Sequence, residues 1–381
     1  MKIAINTLAM KSTYHGMGRY LKNLLENLYL LDKENEYLLY VSKENKKLIE
    51  SFFTPNTKAK EINIPTSLRI LWEHTFLPLD LKKEKVDVYF GPSHILPIVK
   101  ATKEVVTIHD MTWFSQANKH TKFKRLYFQN LVPISIKQAD LVLADSEATK
   151  NDIIEITKVP PLKVEVAYLG VDDYFRKAPE KEIERVREKY HLHKPYIFDV
   201  GVIEPRKNIL GLIEAYFKIL KKDSQFPYDL AIAGGKGYGW NNEEIFTFVN
   251  SKKLDNRVLF LDAVPDEDLP PLLSGAALFV YPSFYEGFGL PILEAMKCGV
   301  PVVTSKISSL TEVGGEAAFY VDPNDVGSIS QAIELVLKDK KKQREMVDKG
   351  FVQSGLFTWQ KTAEKTLEAF SKIVNIKRKN D

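Results

Sequence analysis

Short apolar runs recur along the chain, and most break into a loop that leads to a helix-like segment. Val86–Phe90, Val105–Ile108, Leu141–Ala144, Leu230–Ala233 and Ala277–Tyr281 are too short for buried helices. Runs of this kind read as strands of a parallel sheet covered on both faces. Their alternation with helical periodicity predicts an α/β chain of doubly wound units. In the first unit, strand Ile3–Asn6 and the loop Gly16-Met-Gly-Arg-Tyr20 precede a helix with Leu21, Leu24, Leu25, Leu28 and Leu31 at helical spacing. The next strands are expected at Tyr37–Val41 and Glu61–Ile64. Leu68–Leu77 reads as a helix with Trp72 and Phe76 on one face. The first unit closes near 1–172, a charged segment links it onward, and a second α/β block fills 173–357. The 381 residues are too many for one ordinary core, which agrees with two domains.

Composition narrows the function. A hydrophobic share of 44% beside 27% charged residues fits a globular protein. A net charge of +4 lacks the concentrated basic face of a nucleic-acid binder. The single cysteine, Cys298, excludes an internal disulfide and a cysteine-based zinc site and reads as packing. Strand residues begin at once and no apolar run approaches bilayer length, so the expected location is the cytoplasm or the cytoplasmic face of a membrane. Residues 111–139 hold no acid before Asp140. Lys119, Lys122, Lys124, Arg125 and Lys137 there are interleaved with Phe114, Phe123, Tyr127 and Phe128. The segment is a candidate for peripheral membrane contact; the plainer reading is a solvated helix with an apolar underside.

Chemistry concentrates at expected strand ends, where open α/β sheets bind ligands. After Ala277–Tyr281 come Glu286, Gly287, Phe288, Gly289 and Leu290, then a helix with Pro291 in its first turn, Glu294 within it and Gly299 beyond. A glycine loop feeding a helix start offers backbone N–H groups to an anion. After Tyr196–Val200 come Arg206 and Lys207, a planar fork and a point charge suited to a diphosphate. Gly234–Gly239 and Val264 sit on two further loops of the same block, and His109-Asp110 ends a first-unit strand. A cation pair can stabilise a departing diphosphate without a metal, and no Asp-x-Asp run offers a metal site. A dinucleotide-dependent oxidoreductase would need a G-x-G-x-x-G after the first strand, which is missing.

Glu286-x7-Glu294 with Phe-Gly-Leu-Pro between the glutamates resembles the signature of the retaining family 4, or group 1, glycosyltransferases of GT-B fold. Gly16-Met-Gly-Arg-Tyr20, Ile108-His-Asp-Met111, Asp145-Ser-Glu147, Leu169-Gly-Val-Asp172 and Gly299-Val-Pro-Val302 follow in family order. Glu-Pro-Arg-Lys-Asn at 204–208 and Leu-Trp-Glu at 71–73 bring it nearest to mannosyltransferases of polysaccharide, O-antigen and lipopolysaccharide synthesis. The resemblance implies two Rossmann-like domains facing a cleft, with a final segment, 358–381, crossing back to the first. It implies a nucleotide-sugar donor on the second domain and a glycan or lipid-linked saccharide acceptor on the first, with no cofactor and no metal. GDP-mannose is the preferred donor, ahead of a UDP-sugar such as UDP-glucose or a UDP-N-acetylhexosamine; a non-catalytic nucleotide-sugar-binding protein is the third reading. By carry-over, Glu294 would hold the ribose, the backbone of Gly289 and Leu290 beside Gly287 and Phe288 the diphosphate, Glu286 the sugar and Val264 the base. His109 would meet the sugar, Gly16 the phosphates, and Asp110 would assist. Where many family members carry an arginine, this chain has Val202, so Arg206 is expected to supply that charge. A glycosidase acid–nucleophile pair is set aside, because the helix should aim Glu294 at the nucleotide.

Overall fold

The computed structural model describes residues 1–10, 16–50, 53–65, 68–115, 122–235 and 243–378. Two compact units form: residues 1–170 with 358–381, and residues 171–357.

The first unit is built on seven parallel strands: β1 (Lys2–Asn6), β2 (Glu36–Val41), β3 (Thr57–Glu61), β4 (Val88–Gly91), β5 (Lys103–Ile108), β6 (Leu141–Ala144) and β7 (Val164–Val166). They lie in the order β3-β2-β1-β4-β5-β6-β7. The second unit carries β8 (Tyr196–Val200), β9 (Asp229–Ala233), β10 (Val258–Phe260), β11 (Leu278–Tyr281), β12 (Val302–Ser305) and β13 (Ala318–Val321). Their order is β10-β9-β8-β11-β12-β13, again all parallel. Each order reverses direction once, between β1 and β4 and between β8 and β11. That reversal opens a crevice at the carboxyl ends of the two strands, the usual binding position of an open α/β sheet.

Apolar strands drive this arrangement because helices cover both faces. All four residues of β6 and of β11 are buried. One core packs Tyr40, Trp72, Leu77, Val106 and Val142; the other packs Ile197, Leu212, Leu230, Leu278 and Ile333. Edge strand β3 departs from the expected Glu61–Ile64. Its sequence Thr-Lys-Ala-Lys-Glu has no apolar run, because an edge strand sheds its solvent side and gains from charge there. Ser146 caps the helix Glu147–Thr157: its side chain accepts from Thr149 N, a bond worth about 1 kcal/mol.

The helix over β1, β2 and β4 runs Arg69–Lys83. Phe76 does not share the inward face expected of it. Leu77, Pro78 and Leu81 form the buried stripe, and Phe76, roughly 100° around from Leu77, stays 60% exposed. Trp72 reaches the core near the helix start by packing edge-on against Tyr40, ring centroids 5.5 Å apart.

The last helix, Trp359–Arg378, packs on the first, Gly16–Leu31, within the first unit. Thr362 Oγ1 donates to Tyr168 O at 2.6 Å and Phe370 meets Phe90 edge-on at 5.4 Å. No helix of the described residues is long and apolar enough to cross a membrane.

Candidate active site

In the second unit the strands that flank the crevice each end in a charged loop, and the two loops interlock. Beyond β8, Pro205 opens a 3-10 turn, Pro205–Lys207. Asn208 ends it at φ 56°, a left-handed conformation that asparagine tolerates. Its Nδ2 donates to Pro282 O (3.1 Å) and Pro323 O (2.8 Å), tying the turn to the end of β11. Phe284 N donates to Arg206 O at 2.7 Å from the facing loop.

This lacing delivers two cations to one carboxylate. Lys207 Nζ lies 2.7 Å from Glu286 Oε1, and Arg206 Nη1 lies 2.5 Å from Oε2. Arg206 Nε also pairs with Glu204 at 2.5 Å. Tyr281 Oη donates to Glu286 Oε1 at 2.9 Å and accepts from Lys207 Nζ. Burial pushes the Glu286 carboxyl up, but the attraction of Arg206 and Lys207 and the Lys207 hydrogen bond outweigh it and hold it at about 2. Burial lowers the Lys207 ammonium, opposed by Glu286. The loop after β12 braces the far side of Glu286: its N donates to Ser308 Oγ (3.2 Å), and Ser309 Oγ donates to Glu286 O (2.9 Å) and Phe288 O (2.8 Å).

Below the cluster lies Asp199 of β8, 1% exposed, with no hydrogen-bond partner on either carboxylate oxygen among the described residues. Burial pushes it up to about 8, with Lys207 pulling down and Glu286 pushing up. The neutral acid is thereby favoured near pH 7, since a buried carboxylate without hydrogen bonds gives up its charge more readily than an exposed one. Asp199, Tyr281, Ser308 and Ser309 are the members of this site that the motifs do not name. A lone acid within the otherwise apolar Tyr-Ile-Phe-Asp-Val was the available signal for the first.

The glycines divide in purpose. Gly289 has φ 108°, and a Cβ there would sit 2.7 Å from Leu310, so the loop before the helix Leu290–Lys297 needs glycine twice over. Gly234 has φ 136°, and close packing demands glycine as well: a Cβ would stand 1.9 Å from Gly201 O, where the loops after β8 and β9 pass each other. Gly237 and Gly239, read from sequence as part of the same glycine loop, lie outside the described residues. Gly287 and Phe288 are buried and Leu290 half-buried. Glu294 is buried in its helix, Val264 is half-buried between β10 and the turn Asp266–Asp268, and Val202 is 50% exposed. Cys298 is buried, its thiol pushed up to about 12 by burial and the Glu294 charge.

In the first unit His109 follows β5. Its Nδ1 meets Asp145 Oδ2 at 2.7 Å and its Nε2 meets Pro92 O at 2.9 Å. Pro92 O can only accept, and the Asp145 carboxylate favours a second donated hydrogen bond and with it the charged ring. Burial lowers its pKa, but the Asp145 charge and hydrogen bond win and leave it raised. Neighbouring His94 is pushed down to about 4 by burial and by His109. Asp110 Oδ1 accepts from Thr112 N (3.0 Å) and Oγ1 (2.6 Å), opening the short helix Thr112–Ser115. Gly16 is exposed at φ 52° at the start of its helix. In segment 111–139, Phe114, Tyr127 and Phe128 are half-buried against the core, and Trp113 stacks on Phe128 at 4.2 Å. Lys119 and the side chains of Lys122, Phe123 and Lys124 lie outside the described set.

Two parallel, doubly wound domains with a final helix returned to the first define the GT-B architecture. Residues 180–353 match the family "Glycosyl transferases group 1" and residues 14–175 match "Glycosyltransferase Family 4". The chain belongs to this family of retaining hexosyltransferases. It is 37% identical over 292 residues to O-antigen chain mannosyltransferase B of Escherichia coli, covering 76% of this chain and 75% of that protein. It is 31% identical over 285 residues to the serotype-specific mannosyltransferase WbdA of Escherichia coli, covering 73% of this chain but 34% of that longer protein. In fold it resembles Anabaena HepE, whose crystal structure holds UDP and glucose, with TM-score 0.75 at 21% identity over 98% of this chain and all of that one.

Proposed function

We propose that the protein transfers mannose from GDP-mannose, with retention, to a hydroxyl of a glycan or lipid-linked saccharide in polysaccharide or O-antigen synthesis. One observation carries the reading: Arg206, Lys207 and Glu286 meet at the crevice of a chain 37% identical to a mannosyltransferase. With donor bound, its diphosphate would take the two cations that Glu286 now holds, leaving Glu286 to face the sugar hydroxyls. The attacking hydroxyl oxygen bonds to the anomeric carbon as the bond to phosphate breaks. The hydroxyl proton passes to the leaving phosphate oxygen on the same face, and Lys207 and Arg206 stabilise the diphosphate charge. Glu294 is assigned to the ribose, the Gly289 and Leu290 N–H groups beside Gly287 and Phe288 to the diphosphate, Val264 to the base and Gly16 to the phosphates. His109 brings a positive charge toward the sugar, and Asp110 holds the turn beside it.

A lipid-linked acceptor at a membrane surface is favoured by the exposed Leu71, Phe76 and Leu79 of helix Arg69–Lys83, more than by segment 111–139 with its inward-packed aromatics.

A thermal-shift panel of GDP-, UDP- and ADP-sugars tests the donor. Ligand at a hundredfold excess over Kd stabilises by about 2.7 kcal/mol. GDP-mannose is expected to give the largest rise in Tm. A larger rise with UDP-glucose or a UDP-N-acetylhexosamine would transfer the assignment to that donor.

A further inference from the structure

The first sheet has its own crevice between β1 and β4, and the residues lining it are of a different kind. Asn6 ends β1 and is buried. Its Oδ1 accepts from Leu8 N (3.1 Å), which fixes the amide, and its Nδ2 donates to Glu73 Oε1 (2.9 Å). Glu73 comes from the helix Arg69–Lys83, one turn before buried Leu77 and so on the inward side of that helix. It is half-buried, and among the described residues Asn6 is its one hydrogen-bond partner and no lysine or arginine pairs with it. Tyr89 of β4 is fully buried close to both, and its hydroxyl makes no well-formed hydrogen bond among the described residues.

Each of these features costs stability if it serves packing alone. A buried hydroxyl without a partner costs about 1–3 kcal/mol. Burial pushes the Glu73 carboxyl up to about 7 against the pull of Asn6. A ligand that donates hydrogen bonds to a carboxylate oxygen and exchanges them with an amide and a phenol would satisfy the set. A neutral polyol does this; a diphosphate brings only acceptors and negative charge to a carboxylate with no paired cation. We propose that Glu73 and Asn6, backed by Tyr89, form the binding site for a hydroxyl of the acceptor saccharide. The assignment rests on the glycosyl-transfer reading above and names residues for its acceptor half. Glu73 accepts from the saccharide hydroxyl through the oxygen Asn6 leaves unused, and Asn6 keeps the carboxylate oriented.

The test is direct binding, separate from donor chemistry. Saturation-transfer NMR is run on the full chain with methyl α-mannopyranoside, the matching glucoside and galactoside, and methyl N-acetylglucosaminide. The wild type is expected to give a signal with at least one glycoside. Glu73→Gln should cut that signal about tenfold. Tyr89→Phe should cut it about threefold while holding or raising Tm, because the hydroxyl it removes makes no well-formed hydrogen bond among the described residues; this outcome separates a ligand role from a packing role. No signal with any wild-type glycoside overturns the proposal, and so do undiminished signals in both variants. In a parallel arm, calorimetry with GDP-mannose reads the donor alone. If GDP-mannose fails to bind while the glycoside signal still depends on Glu73, the donor assignment falls and the acceptor site stands.

Discussion

The two domains share a strand order and differ in what that order brings together. In the second, the crevice between β8 and β11 is closed by charge: two cations, one carboxylate and a tyrosine satisfy one another. In the first, the crevice between β1 and β4 holds a carboxylate whose one hydrogen-bond partner among the described residues is an amide, and a buried hydroxyl that makes no well-formed hydrogen bond among them. The same topology therefore serves opposite chemistries. A pre-assembled cation pair suits an anionic donor and keeps its charges oriented before substrate arrives. An under-satisfied acid and phenol suit a neutral, hydroxyl-rich partner that completes their hydrogen bonding. His109 does not blur the contrast, because Asp145 and Pro92 already hold both its nitrogens.

Three substitutions sharpen that comparison, in order of expected size. Lys207→Ala removes the point charge from the donor cluster. Steady-state assays should show kcat down by about a thousandfold, the scale of losing one donor to a developing anion, and unchanged turnover would remove the clamp from the mechanism. Asp199→Asn comes next. The folded-state pKa of Asp199 lies above that of the unfolded chain, so it favours folding at low pH. That contribution fades as pH rises from about 4 and is gone above about 8. Denaturant titrations should find the asparagine variant gaining on wild type across this window by a few kcal/mol and running parallel to it beyond. A gap that does not change with pH would mean Asp199 is ionised in the fold. The smallest effect belongs to Asp110→Ala. Its carboxylate opens the Thr112–Ser115 turn, so stability should fall by about 1 kcal/mol and transfer by only a few fold. A loss near that of Lys207→Ala would make Asp110 a participant in the chemistry.

Much of this was open to reading in the sequence. Apolar runs such as Leu141–Ala144 announce buried parallel strands, and Ser146 announces its helix. The glutamates of the 286–294 stretch and the cations at 206–207 stand out because each set is local in the chain. The doubly wound pattern predicts that these loops converge at strand ends; the direct ion pairs between them were not legible, because β8 and β11 become neighbours only through the order of the sheet. Glu286, which the resemblance assigns to the sugar, pairs with both cations in the protein alone, a contact that no motif announces. Tyr281, Ser308 and Ser309 escaped notice for the same reason, since each acts across strands. Edge strand β3 was misplaced because lysines hide its pattern, and Phe76 because one step around a helix is the difference between core and solvent.

We propose that this protein moves mannose with its configuration retained, using the Lys207 cluster to release the diphosphate. Proton NMR of the product from GDP-mannose and a mannoside or glucoside acceptor reads that claim most directly. An α-linked mannosyl product with wild type, and almost none with Lys207→Ala under the same conditions, is the predicted result. A β-linked product, or α-linked product formed equally by the variant, would contradict it.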